Sequence, residues 1–276
     1  MTESTEIRPG QSVALLKELH ILTRDGKLNQ DSRRKLKQIY HLYQFIEPLL
    51  NEIAHDIRLV DHGAGKSYLG FILYDLFFKG RTGNDRIFGI EARPELVEKS
   101  RQLAGRLGFA RLAFLHETAG ASIESGDLPD TVDVVTALHA CDTATDDAIR
   151  FGLAKKARFM VLVPCCQAEV AAVLNRNKGS ALKEPLAEIW RRPIHTREFG
   201  SQVTNVLRCL QLEAHGYRVT VTELVGWEHS MKNELIIARR DGEVNRASAA
   251  RLQELLHTLG LETLQQRFFA EVQPAR

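Results

Sequence analysis

No apolar run in this sequence is long enough to cross a bilayer. The longest, around Tyr68 to Phe78, falls well short of the roughly 20 residues a membrane-spanning helix requires. An excess of one charge is also missing: the formal net charge is +2 over 276 residues, so no chain-wide polycation announces nucleic acid. Cysteine is sparse. Cys141, Cys165, Cys166 and Cys209 follow no disulfide-framework spacing, and reduced thiols in a cytosol are expected. Nor does Met1-Thr2-Glu3-Ser4-Thr5-Glu6, polar and acidic, read as a secretory leader. Internal repeats and low-complexity tracts are absent. These absences leave a soluble cytoplasmic protein as the expectation. What is present, 44% hydrophobic and 26% charged residues, is ordinary for a globular chain. The length suits one large domain with appendages, or two small ones.

The most informative stretch is Ile57-Arg58-Leu59-Val60-Asp61-His62-Gly63-Ala64-Gly65-Lys66-Ser67-Tyr68-Leu69. A short apolar run, a glycine turn and a second apolar segment predict a buried parallel strand leading into a helix. Glycine lets the chain turn sharply and brings bare backbone against a ligand. A phosphate loop needs a glycine where Val60 stands, inside the strand, and is discarded. A dinucleotide fingerprint needs a third glycine where Tyr68 stands. S-adenosyl-L-methionine presents an ammonium and a carboxylate instead of a pyrophosphate, and Asp61 at the strand end suits that cation. A glycine turn that only joins strand to helix stands against this reading.

About 30 residues further on, one β-α-β unit away, Arg86-Ile87-Phe88-Gly89-Ile90-Glu91 predicts a second strand ending in an acid. An acid there hydrogen-bonds the ribose of an adenosine ligand. Arg93-Pro94-Glu95 opens the next helix with proline in its first turn, so Glu91 also reads as a carboxylate at a helix start. Leu112 to Leu115 predicts a third strand, and Glu117 or Thr118 after it is a candidate for the adenine amino group. Val132 to Leu138 predicts a fourth and Phe159 to Val163 a fifth, whose apolarity predicts a central position. Tyr217 to Val225 and Asn233 to Ala238 predict a closing antiparallel pair. The fold class expected is α/β, a doubly wound, mostly parallel, seven-stranded Rossmann-like sheet with helical extensions at both ends. The expected divisions are 1–54, 55–242 and 243–276.

Asp25-Gly26 predicts a turn before a helix with Leu36, Ile39, Tyr40, Tyr43, Ile46 and Leu50 on one face, capped by Asp31 or Ser32 and bent or ended by Pro48. Arg33, Arg34, Lys35 and Lys37 in its first turns read as a solvated face or as a contact for RNA phosphates. The connection 171–216 is long enough to carry function. Arg191, Arg192 and Arg197 within it are candidates for gripping an anionic substrate, ahead of a helix with Val203, Val206, Leu207, Leu210 and Ala214 on one face. Thr143 and Asp146 have capping-box spacing. The tail, with Leu252, Leu255, Leu256, Leu259, Leu264, Phe268 and Phe269, predicts two amphipathic helices packing on the core or on a partner chain.

Three segments taken together, Asp61 to Leu69, Leu138-His139-Ala140-Cys141-Asp142-Thr143-Ala144-Thr145-Asp146, and Val163-Pro164-Cys165-Cys166-Gln167, with Lys232 to Ile236, resemble one branch of the class I methyltransferases. That branch includes the methyltransferase domain of glutathione S-transferase C-terminal-domain-containing proteins and the tRNA 2′-O-methylase of the acceptor stem. The resemblance implies that Asp61, Gly63, Gly65 and Glu91 hold S-adenosyl-L-methionine, with Leu138 and His139 near its sulfonium. His139, Cys141, Asp142, Cys165 and Cys166 would line the methyl-acceptor side. The chain lacks the tRNA enzyme's zinc-finger segments and has Asp142 where glycine is usual.

Methyl transfer is an in-line displacement that depends mainly on positioning. An acceptor hydroxyl must also lose a proton, for which His139 or Asp142 is a candidate base. A cysteine thiolate, Cys141 above all, would serve pyrimidine C5 methylation, against the commoner fate of buried structural cysteine. Zinc at His139, Cys141, Cys165 and Cys166 is disfavoured because adjacent cysteines are not metal-ligand spacing. RNA, a small molecule and a scaffold role without turnover remain open, as does the oligomeric state.

Overall fold

The computed structural model describes residues 7–138, 143–164, 168–177, 186–224 and 234–268. Its centre is a seven-stranded sheet of β1 (Arg58–His62), β2 (Arg86–Glu91), β3 (Leu112–His116), β4 (Val134–Leu138), β5 (Phe159–Val163), β6 (Tyr217–Glu223) and β7 (Glu234–Arg240). The spatial order is β3-β2-β1-β4-β5-β7-β6. β1 to β5 pair in parallel, and β7 runs antiparallel to both β5 and β6. The chain builds outward from β1 to β3, then returns to lay β4 on the other side of β1. That reversal is the switch point where open α/β sheets bind ligands, beyond the carboxyl ends of the strands. β5 is buried along its whole length, but β4 is the middle strand. Apolarity reports burial on both faces, which every interior strand shares.

Successive strand residues face opposite sides of the sheet, and the two cores follow that alternation. Leu59, Ile87, Val134 and Val161 point to one core, Val60, Phe88, Val135 and Leu162 to the other. The first core is covered by α1 (Val13–Glu18), α2 (Gln30–Asn51), α3 (Tyr68–Leu73, continued by a π-helical turn over Tyr74–Phe78) and α4 (Pro94–Leu107). On the second face lie α5 (Ala119–Glu124), α6 (Ala144–Ala154) and the C-terminal half of α8 (Pro193–Ala214). A third cluster joins α7 (Glu169–Arg176), α8, α9 (Arg246–Thr258) and α10 (Gln265–Phe268) through Val170, Val173, Leu207, Leu252, Leu256 and Phe268. The tail thus packs on the long connection of its own chain. Phe269 lies outside the described residues.

Several local expectations change. The N-cap of α2 is Asn29, whose Oδ1 accepts from the Ser32 N–H at 2.8 Å, in place of Asp31 or Ser32. Pro48 lies inside α2, which runs on to Asn51. In the last turn, proline removes a single intrahelical bond while Ile46, Leu49 and Leu50 stay in the core. Thr143 precedes α6 with helical dihedrals and makes no side-chain cap, and Asp146 is turned inward to Arg208. Val206 is exposed, off the buried stripe of α8.

Candidate functional site

Between β1 and α3 the backbone takes left-handed conformations at alternate residues: Gly63 (φ 69°), Gly65 (φ 58°) and Ser67 (φ 51°). Glycine adopts these angles freely, whereas Ser67 is held there. The turn is tied down by the Ala64 N–H donating to the Ile90 carbonyl (2.9 Å) and the Ser67 N–H to the Ala64 carbonyl (2.7 Å). Beneath it, Gly89 of β2 stands in register with Asp61, and a Cβ there would come within 2.7 Å of the Phe114 ring. The missing side chain leaves room there for Phe114, with Ala64 alongside.

The two sequence-predicted acids converge on this turn from the same face of the sheet. Asp61 is 2% exposed and accepts a hydrogen bond from the Thr136 hydroxyl of β4 at 2.8 Å. Burial pushes its carboxyl up to about 7, with the Thr136 bond opposing the shift. The carboxylate therefore lies under the turn, not on an open wall. Glu91 is anchored more tightly. Its Oε2 accepts from the Gly65 N–H at 2.8 Å, its Oε1 from the Arg93 N–H at 3.0 Å, and the Arg93 guanidinium clasps both oxygens at 2.8 and 3.2 Å. Burial alone would raise the Glu91 carboxyl, but these bonds outweigh it and hold it below its ordinary range. At the end of β3, the Glu117 Oε1 accepts from the Ser125 hydroxyl at 2.5 Å, while its Oε2 is buried without a partner among the described residues. Thr118 caps α5, its hydroxyl accepting from the Ala121 N–H at 3.4 Å. Leu138 ends β4, half-buried, across the switch point from the turn.

Residues 34–173 match the family model described as a methyltransferase domain. The chain belongs to that family. The turn's geometry fits S-adenosyl-L-methionine: bare backbone at Gly65, an acid bonded to that turn, and an unpartnered carboxylate oxygen at Glu117. The chain is 23% identical to the glutathione S-transferase C-terminal domain-containing proteins of Bos taurus and Homo sapiens, over 78% of this chain. It spans about a third (34%) of the length of those relatives. An S-adenosylhomocysteine-bound methyltransferase of Podospora anserina is 12% identical, with a TM-score of 0.47 over 82% of this chain and 87% of that one.

Of the remaining candidates, His139, Cys141, Asp142, Cys165 and Cys166 lie outside the described residues. Arg191, Arg192 and Arg197 are exposed around the start of α8. Arg191 pairs with Glu188 (3.0 Å) and Arg197 with Glu198 (3.2 Å), so part of their charge is answered locally. Arg33, Arg34, Lys35 and Lys37 are exposed in the first turns of α2. Those turns reach the strand-end side, since the Ser32 hydroxyl donates to the His20 carbonyl and His20 lines a cavity with Lys66 and Tyr68. Arg191 to Arg197 open α8, whose Gly200 packs against Ala171 of α7 just beyond the end of β5, so both basic clusters lie toward the carboxyl edge of the sheet. Cys209 is half-buried on α8, its thiol pushed up to about 12 by burial, which makes it a poor nucleophile. Among the described residues no group of His, Cys, Asp and Glu is arranged to hold a metal, and no helix is long and apolar enough to cross a membrane.

Sequence reasoning missed two features. Arg93 had a signal, a guanidinium two residues after the ribose acid. Arg208 had none. It is fully buried on α8 and holds Asp146 of α6 by two bonds of 2.7 and 2.8 Å, with Asn205 bridging onward to Glu234. Neither partner is near the other in the chain, and both sit at positions where a polar surface would be the ordinary reading.

Proposed function

We propose that this methyltransferase acts on RNA in the cytoplasm, with residues 55–242 as the catalytic unit. The observation that carries the substrate reading is the pair of exposed basic clusters, Arg33 to Lys37 and Arg191 to Arg197, toward the strand ends. A polyanion crossing that edge meets cations from both clusters, with phosphate contacts setting its register. Asp61 faces the donor's ammonium from below, and Gly63 and Gly65 let its methionine end approach the backbone. Glu91 accepts the ribose hydroxyls. Glu117, with its spare oxygen, accepts from the adenine amino group, while Thr118 holds the α5 start beside it, and Leu138 packs near the sulfonium. His139 or Asp142 takes the proton when the acceptor is a hydroxyl, and Cys141, Cys165 and Cys166 line the acceptor side.

The test is incubation with methyl-labelled S-adenosyl-L-methionine and total cellular RNA, beside a metabolite extract. Label in RNA is the expected result. Label in the metabolite extract alone would replace RNA by a small molecule, as the near-neutral net charge of +2 favours. Tight cofactor binding with no transfer to either would leave a scaffold role. Glu91→Ala should lose cofactor binding by calorimetry while keeping its far-ultraviolet circular dichroism.

A further inference from the structure

A carboxylate offers about four acceptor positions, and all four on Glu91 are taken. Two go to backbone N–H groups, of Gly65 and Arg93, and two to the Arg93 guanidinium. A ribose presenting two adjacent hydroxyls therefore finds no free acceptor. The Arg93 Nη2 also lies 3.8 Å from the point where a Cβ on Gly65 would stand, over the bare backbone of the turn. The two partners differ in freedom: the Glu91 side chain is 7% exposed and that of Arg93 61%. The acid is fixed by the backbone, and the guanidinium is free to swing away.

We propose that Arg93 gates the cofactor site, occupying on Glu91 the two acceptor positions that the ribose hydroxyls of S-adenosyl-L-methionine must take over. The inference rests on Glu91 as the ribose acid. The two backbone bonds keep the carboxylate aimed throughout, so departure of the guanidinium opens a matching pair of positions without rebuilding the turn. Glu95 also attracts Arg93 and receives the displaced cation. The gate makes affinity a difference between two competing sets of hydrogen bonds. It disfavours adenosine ligands that cannot supply both hydroxyls.

Calorimetric titration of S-adenosyl-L-methionine into wild-type, Arg93→Ala and Arg93→Lys protein tests this. Arg93 contributes no side-chain cap to α4, so both variants should fold. Arg93→Ala should bind roughly two- to fivefold tighter, the scale of a largely exposed ion pair. Arg93→Lys should fall between, because an ammonium cannot reproduce the two-point clasp. Adding salt should tighten binding to the wild type relative to Arg93→Ala, since salt screens the pair. Equal or weaker binding by Arg93→Ala overturns the gate and makes Arg93 a support of the site. Loss of binding in Glu91→Ala without tightening in Arg93→Ala sinks the gate alone. Unchanged binding in Glu91→Ala sinks the ribose reading itself.

Discussion

Cofactor affinity should depend on pH through Asp61. Buried beneath the turn, its carboxyl titrates at about 7. Near pH 6 it carries charge in roughly a tenth of molecules, and near pH 7.5 in roughly three-quarters. An ammonium binds the charged form and pulls the pKa down, so the proton leaves as the ligand enters. The sign is fixed by that release: affinity rises with pH up to about 7 and then levels. Between pH 6 and 7.5 the dissociation constant should fall about five- to sixfold, the roughly eightfold ratio of Asp61's ionised fractions reduced by the part of the ligand's ammonium already lost at pH 7.5. Higher still, the ligand's own α-amino group, ordinarily near 7.7–8.0, begins to lose its charge and affinity turns down. Calorimetry at pH 6 and 7.5, repeated in two buffers of different ionisation heat, reads both the affinity and the protons released. Asp61→Asn should bind more weakly with no such rise. A dissociation constant that does not move, with no proton released, would refute the contact and leave Asp61 as a support of the turn through Thr136.

Asp61 also sets a stability profile. Its folded pKa of about 7 lies above the ordinary 3.8, so the folded state holds a proton that the unfolded chain gives up. The resulting loss of stability grows as pH rises from about 4 to 7, and Asp61→Asn should recover up to about 4 kcal/mol at pH 8 in urea titrations; no gain there would mean that the carboxyl is not buried as described. Asp146→Ala should cost about 3–5 kcal/mol by leaving Arg208 without its main partner, and Asp146→Leu with Arg208→Met should recover most of it. A loss under 1 kcal/mol for the single variant would show that water reaches the guanidinium. Gly89→Ala pushes a methyl against Phe114 and toward Ala64 and should cost about 1–3 kcal/mol by denaturation; a smaller loss would mean that the ring turns aside.

The chain's own order of residues determined most of the sheet. Short apolar runs bounded by turn residues mark β1 to β5, because a run of that length suits a strand buried on both faces better than a helix, and two glycines with an acid on each adjoining strand end mark the cofactor turn. Strand order was not legible, and the apolarity of β5 misplaced the centre, since β4 returns to the far side of β1 through packing and not through any local signal. Tertiary structure alone decided what each acid does before a ligand arrives. Asp61 is neutralised by burial under a turn that sequence shows only as a bend, and Glu91 is locked by Arg93 because the turn's Gly65 N–H aims it there. It also decided Asp146, which reads as a helix cap by spacing but is drawn inward by Arg208 from a helix 62 residues away. Local patterning chooses conformation one segment at a time; the partner of a buried charge is chosen by whichever helix the fold brings against it.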